Sequence, residues 1–146
     1  MGLRFTRAAD YGVRAMLHVG SLPEGRIALR DEIAQAQRVP TTFMAKILRK
    51  LVNADLLRSL RGVHGGFGLA RTPSVISLLD IVEGIEGPLN LTDCARDSGR
   101  CAFSHDCPVS TVWFEVQRGM GALLRETTLE ALLSAPRKNR GAVQLP

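Results

Sequence analysis

The sequence predicts a mainly α chain: three short amphipathic helices and a two-stranded hairpin, then a fourth helix and a long terminal one. Three observations carry that prediction. Apolar residues recur at three- and four-residue steps in five separate stretches. One glycine-studded segment, LLRSLRGVHGGFGLAR, has the short run, turn and short run of a hairpin. The 146 residues, 45% of them hydrophobic, are enough to build a core of ordinary size.

Thr6 is placed to cap a first helix whose inward positions are Ala9, Val13, Met16, Leu17 and Gly20, and the pair Gly20-Ser21 ends it. After the turn PEG at 23–25, residues 28–37 read as a second helix with Leu29, Ile33 and Ala36 inward. RVP at 38–40 breaks it, because the residue before a proline is pushed out of the helical region. Thr41 is the expected N-cap of the third helix. Phe43, Met44, Ile47, Leu48 and Leu51 form its buried stripe, leaving Thr42, Ala45, Lys46, Arg49 and Lys50 on or beside the opposite face. Two strands are expected at 56–60 and 66–71 around the tip RGVHGG. Ser77-x-x-Asp80 is a capping start for the fourth helix, with Leu78, Ile81, Val82 and Ile85 inward and Gly87-Pro88 at its end.

Residues 89–107 have no period and many turn formers, a loop long enough to need something that organises it. Pro108 suits the first position of the last helix, along which Val109, Trp113 (with neighbouring Val112), Val116, Met120 and Leu123 make a near-heptad seam. From 108 to 133 that helix would run about 39 Å at roughly 1.5 Å per residue, more than a small domain covers alone. The expectation is a homodimer paired through it. The organisation expected is therefore residues 1–75 as one unit, 76–133 as a connecting and dimerisation segment, and 134–146 as a flexible tail.

Charge divides the chain the same way. Residues 1–75 carry twelve Arg or Lys against five Asp or Glu, and 76–133 carry four against nine. A basic first half suits phosphate binding by counterion release, and the acidic second half does not. The start MGLRFTRAADYG lacks the apolar core of a secretory signal, and no stretch approaches a membrane span, so a cytoplasmic location away from membranes is expected. An enzyme is not expected: His18 lies beside apolar residues, and no Ser-His-Asp order or phosphate loop is present.

Helix, helix, turn, helix and two-stranded wing is the order of a winged helix-turn-helix, in which one helix enters the major groove of double-stranded DNA. Thr41 and Thr42 can donate to phosphate or base edges; Lys46, Arg49 and Lys50 can neutralise phosphates or reach guanine. Arg58, Arg61 and His64 belong to the wing, and Gly62, Gly65 and Gly66 would let its backbone approach the duplex.

All three cysteines fall in CARDSGRCAFSHDC: Cys94, Cys101 and Cys107. An odd count in a reducing compartment argues against a disulfide scaffold and for metal or redox chemistry. Zinc sites favour paired ligands, and no CxxC is present. A thiol switch without metal remains open.

YGVRAML, TTFMAKILRKL, RGVHGGFGLAR, SLLDIVEGIEGPL and the three cysteines together resemble the IscR, NsrR and RirA type of bacterial transcription regulator, the Rrf2 family. The resemblance runs from about residue 3 to about residue 130. It implies a homodimer that binds a pseudo-palindromic operator, as repressor, under control of an iron-sulfur cluster sensing nitric oxide, iron or redox state. Most clusters take four protein ligands, so three thiols leave one place. Two-iron relatives have histidine three residues after the last cysteine, where this chain has Ser110. In an NsrR relative the partner subunit supplies an aspartate from its first helix, which aligns with Asp10. The resemblance thus implies a [4Fe-4S] cluster on Cys94, Cys101, Cys107 and Asp10, with [2Fe-2S] and His105 as the alternatives. A zinc-bound regulator, a cluster-free thiol switch and a winged-helix protein-interaction module are the competing readings.

Overall fold

The structure is a computed structural model, and it describes residues 5–96, 101–103 and 106–136. The winged helix-turn-helix order is present: α1 Arg7–Gly20, α2 Arg30–Gln37, α3 Thr41–Asn53, β1 Leu57–Leu60, β2 Gly66–Leu69, then α4 Leu78–Glu86, α5 Asp93–Arg96, α6 Ser110–Glu126 and α7 Leu129–Ser134.

The caps explain where the helices begin. Thr6 Oγ1 accepts the Ala9 amide at 3.2 Å, and Ser77 and Asp80 form a reciprocal capping box at 3.0 and 2.9 Å. The third helix starts at Thr41, with Pro40 rather than Thr41 as its N-cap, and no side chain caps it. The strands are shorter than expected: the Leu56 amide donates back to the Leu51 carbonyl at 3.0 Å, so beyond the ladder only the bond from the Ala70 amide to the Leu56 carbonyl, at 3.1 Å, continues the pairing. Leu57 pairs with Leu69 and Leu60 with Gly66 in antiparallel register.

Two further expectations are corrected. In the second helix, Leu29 and Ala36 face outward, and Ile33 and Ala34 are the buried pair. The cause is at the start of the helix: Ala28 is held extended by a two-way backbone bridge to Phe67, at 2.9 and 2.8 Å, so Leu29 becomes the N-cap and the wheel is turned. Nor is 108–133 one helix. It breaks at Thr127 and Thr128, where the Leu78 amide donates to Thr127 O and the Leu129 amide to Ile76 O, both at 2.8 Å. Thr128 then caps α7 by accepting the Ala131 amide. Neighbouring threonines are poor helix interior residues and good caps, and the bridge to Ser77 takes up the backbone groups freed by the break. α6 is therefore 17 residues, about 26 Å at roughly 1.5 Å per residue.

The core joins both parts of the sequence. Met16, Ile33, Met44, Ile47, Leu48 and Leu51 pack with Ile76, Ile81, Ile85 and Leu129, each all but inaccessible. Each such side chain contributes about 1.5–3 kcal/mol by leaving water. α4 reaches the core because glycines thin its contacts: a β-carbon on Gly12 would lie 2.9 Å from Ile85, and one on Gly84 would lie 2.9 Å from Ala54. By contrast α6 buries only Leu124, and Val112, Trp113, Phe114, Val116 and Leu123 are exposed.

Candidate nucleic-acid interface and cysteine segment

α3 presents one polar strip because its opposite side is used by the core. Thr42, Lys46 and Arg49 are spaced i, i+4, i+7 and are all exposed, whereas Met44, Ile47, Leu48 and Leu51 are buried. Among the described residues neither Lys46 nor Arg49 has an ion pair, so both charges face solvent undiluted. Asn53 continues the strip and is exposed. Sequence reasoning missed it, although its i+4 spacing from Arg49 was the signal. Thr41 is half-buried at the first turn.

α3 is held at a defined angle by α1. Tyr11 packs edge-on against Phe43, with ring centroids 6.0 Å apart, and Arg14 lies 5.4 Å from the Tyr11 ring while its Nε donates to Gln37 Oε1 at 3.0 Å. Lys50 behaves differently from its neighbours. Its Nζ donates to the Ile85 carbonyl at 2.7 Å, in the last turn of α4.

The wing tip, residues 61–65, projects Arg61, Val63 and His64 into solvent, and Val63 is 97% exposed. Gly62 has φ +108°, a left-handed conformation that favours glycine, and its carbonyl accepts the Gly65 amide at 2.9 Å. Gly65 and Gly66 leave no room for a side chain: β-carbons there would lie 2.4 Å from Leu60 O and 2.6 Å from Ala28 O. Arg58 is exposed but lies along Gly68, its Nε 3.3 Å from where a β-carbon would be. It lines a groove with Leu22, Glu24 and Arg26, in the α1–α2 turn, rather than the tip. His18 sits between α1 and α2, its Nε2 buried and 3.5 Å from Glu32 Oε1, at ionic distance but outside hydrogen-bond geometry.

The cysteine segment is anchored at both ends. The Leu89 amide donates to Glu83 Oε1 at 2.9 Å and the Leu91 amide to Gln117 Oε1 at 3.0 Å, tying its start to α4 and α6. At its end the Ser110 hydroxyl donates to Cys107 O at 2.8 Å, so the residue that stands where two-iron relatives have histidine is used to fasten the start of α6. Cys94, Cys101 and Cys107 are free thiols, each partly exposed, and Thr92 Oγ1 is 3.1 Å from Cys94 Sγ. Three accessible thiols suit the chemistry of an iron-sulfur group. Among the described residues of one chain, however, no three His, Cys, Asp or Glu side chains gather closely enough to hold a metal ion. Asp10 is exposed on α1, 3.7 Å from Arg14. His105 lies outside the described residues. Among the described residues no helix is long and apolar enough to cross a membrane.

Residues 5–135 match the family model Rrf2, described as an iron-dependent transcriptional regulator. The HTH-type transcriptional regulator Rv1287 of Mycobacterium tuberculosis is 35% identical over 130 residues, covering 87% of this chain and 79% of that protein. Among solved structures, T. potens IscR superposes with a TM-score of 0.73 at 27% identity, covering 91% of this chain and 88% of that one. CymR of B. subtilis, the global cysteine regulator, gives 0.73 at 24% identity, covering 91% and 98%.

Proposed function

The chain belongs to the Rrf2 family of transcriptional regulators, and from that premise we propose that it is a homodimeric repressor whose grip on a pseudo-palindromic operator is governed by an iron-sulfur cluster. In this reading residues 1–75 read the duplex. The strip Thr42, Lys46, Arg49 enters the major groove, with Thr41 at its mouth, and Arg61 with His64, Gly65 and Gly66 brings the wing against the backbone or minor groove. Residues 76–133 carry the cluster segment and the dimer contact. The apolar face of α6, exposed in one chain, supports a second copy covering it.

Cys94, Cys101 and Cys107 would hold the cluster, and Asp10 of the partner subunit would complete four ligands. The observation that carries the reading is three free, accessible thiols in one anchored segment of a chain matching a family described as iron-dependent. When bound, the cluster supplies a redox- and nitric-oxide-sensitive centre; the chain's part is to tie that segment to α4 and α6 through Glu83 and Gln117.

The test is anaerobic isolation with visible absorption, iron and sulfide assays, and operator binding before and after nitric oxide. Iron and sulfide in equal amounts, absent from Cys101→Ala, with operator binding at least about tenfold weaker without cluster, is the expected result; tenfold is about 1.4 kcal/mol. Colourless, iron-free protein whose operator binding responds to thiol oxidation would replace it with the second reading, a cluster-free thiol switch. The three free, partly exposed thiols support that alternative as well.

A further inference from the structure

Lys50 lies in the recognition helix, yet its ammonium is committed elsewhere. On a wheel of about 100° per residue it is turned about 70° from the centre of the strip Thr42, Lys46, Arg49, toward α4. Its Nζ meets the Ile85 carbonyl at 2.7 Å, 35 residues away in sequence. The last carbonyls of a helix lack intrahelical donors and carry the negative end of its dipole, so a cation there is doubly suited. Lys50 is itself exposed, but the end of α4 that it meets is closely packed. Gly84 is pressed against Ala54 and Leu56 just beyond α3, Ile85 fills the place of a side chain on Gly12, and the Glu86 carboxylate accepts the Thr6 amide at 3.0 Å. One residue further, Gly87 turns the chain at φ +86° into the segment pinned by Glu83 and Gln117.

We propose that Lys50 is a positioning residue for DNA reading: it acts on the duplex through α4, fixing the tilt of α3 against the helix that leads into the cysteine segment, and does not contact phosphate. The inference rests on the reading that the exposed strip of α3 faces DNA. It gives the α4 C-terminus a defined route to the reading head, one charge-assisted hydrogen bond and two glycine contacts long.

The experiment is salt-dependent binding of the full-length protein to two duplexes, an operator selected from random sequence by the unaltered protein and a scrambled one. Lys46→Met, Lys50→Met and Gly84→Ala are compared, with thermal unfolding to verify that each is folded. Loss of one phosphate contact flattens the slope of log K against log salt by about 0.9. Lys46→Met is expected to show that change. Lys50→Met is expected to leave the slope unchanged and to reduce the operator-to-scrambled ratio about tenfold. Gly84→Ala, which alters no charge, is expected to do the same, and the double variant to lose little more than either alone. A slope reduced by about 0.9 in Lys50→Met with the ratio intact would make Lys50 a phosphate contact and overturn the proposal. A silent Lys50→Met beside a responsive Lys46→Met also overturns it. An unresponsive Lys46→Met would instead bring down the reading of α3 on which it stands.

Discussion

At the scale of single residues, the wing shows how a sequence signal and its physical reason can be separated. RGVHGG is plainly a turn when read as letters, but what forbids a side chain at 65 and 66 is the carbonyl of Leu60 and that of Ala28, which no local pattern names. Gly66→Ala is therefore expected to destabilise by about 1–3 kcal/mol through overpacking against backbone, measured by denaturant unfolding. Gly25 is the contrast: with nothing within 4 Å, its φ of +80° alone gives it a role. The same lesson applies to cations. Lys46, Arg49 and Lys50 are one basic run in the sequence and all three are exposed; only packing shows that the third has its ammonium bonded to α4. Asp10 likewise reads as one acid among others, and the structure places it exposed on α1, 3.7 Å from Arg14.

Elements were legible where their signals are local. Thr6 and the Ser77-Asp80 box were readable because a cap needs only residues three apart, and Ser77→Ala is expected to cost about 1 kcal/mol in thermal or chemical unfolding. The break after α6 was not readable, because it depends on a partner some 50 residues earlier. The two architectures make opposite forecasts at Thr128. In a continuous helix, replacing a β-branched residue by alanine would stabilise. With Thr128 capping α7 beside a buried Leu129, Thr128→Ala is expected to destabilise by about 1 kcal/mol, and the sign is read directly from the shift in unfolding midpoint. The second helix failed for a similar reason. Its period was present, but the strand-like bridge of Ala28 to Phe67 moved its start by two residues and so rotated its buried face.

For the whole molecule, the arrangement is a small core around α1, which packs against α2, α3, α4, α7 and β2, with α6 seated on α4 and α5 on α6. α6 leaves Val112, Trp113, Phe114, Val116 and Leu123 exposed, more apolar surface than one helix of a lone small protein usually shows. Val116→Glu is expected to convert a dimer into a monomer by sedimentation or light scattering, and to weaken operator binding by at least about tenfold because two half-sites are no longer read together. A variant that stays dimeric with unchanged operator binding would place the contact elsewhere.

The sequence by itself determined the order of elements as far as α4, the caps at Thr6 and Ser77, the charge division, the three-thiol segment and the family, because each depends on residues within a few positions of one another or on composition. Tertiary structure alone decided which face of α2 is buried, that the last helix is broken at Thr127 and Thr128, and that the Lys50 ammonium is bonded to α4. Each of those features is settled by a backbone group meeting a partner 35 or more residues away, and a carbonyl or an amide has no letter in the sequence to announce whom it will meet.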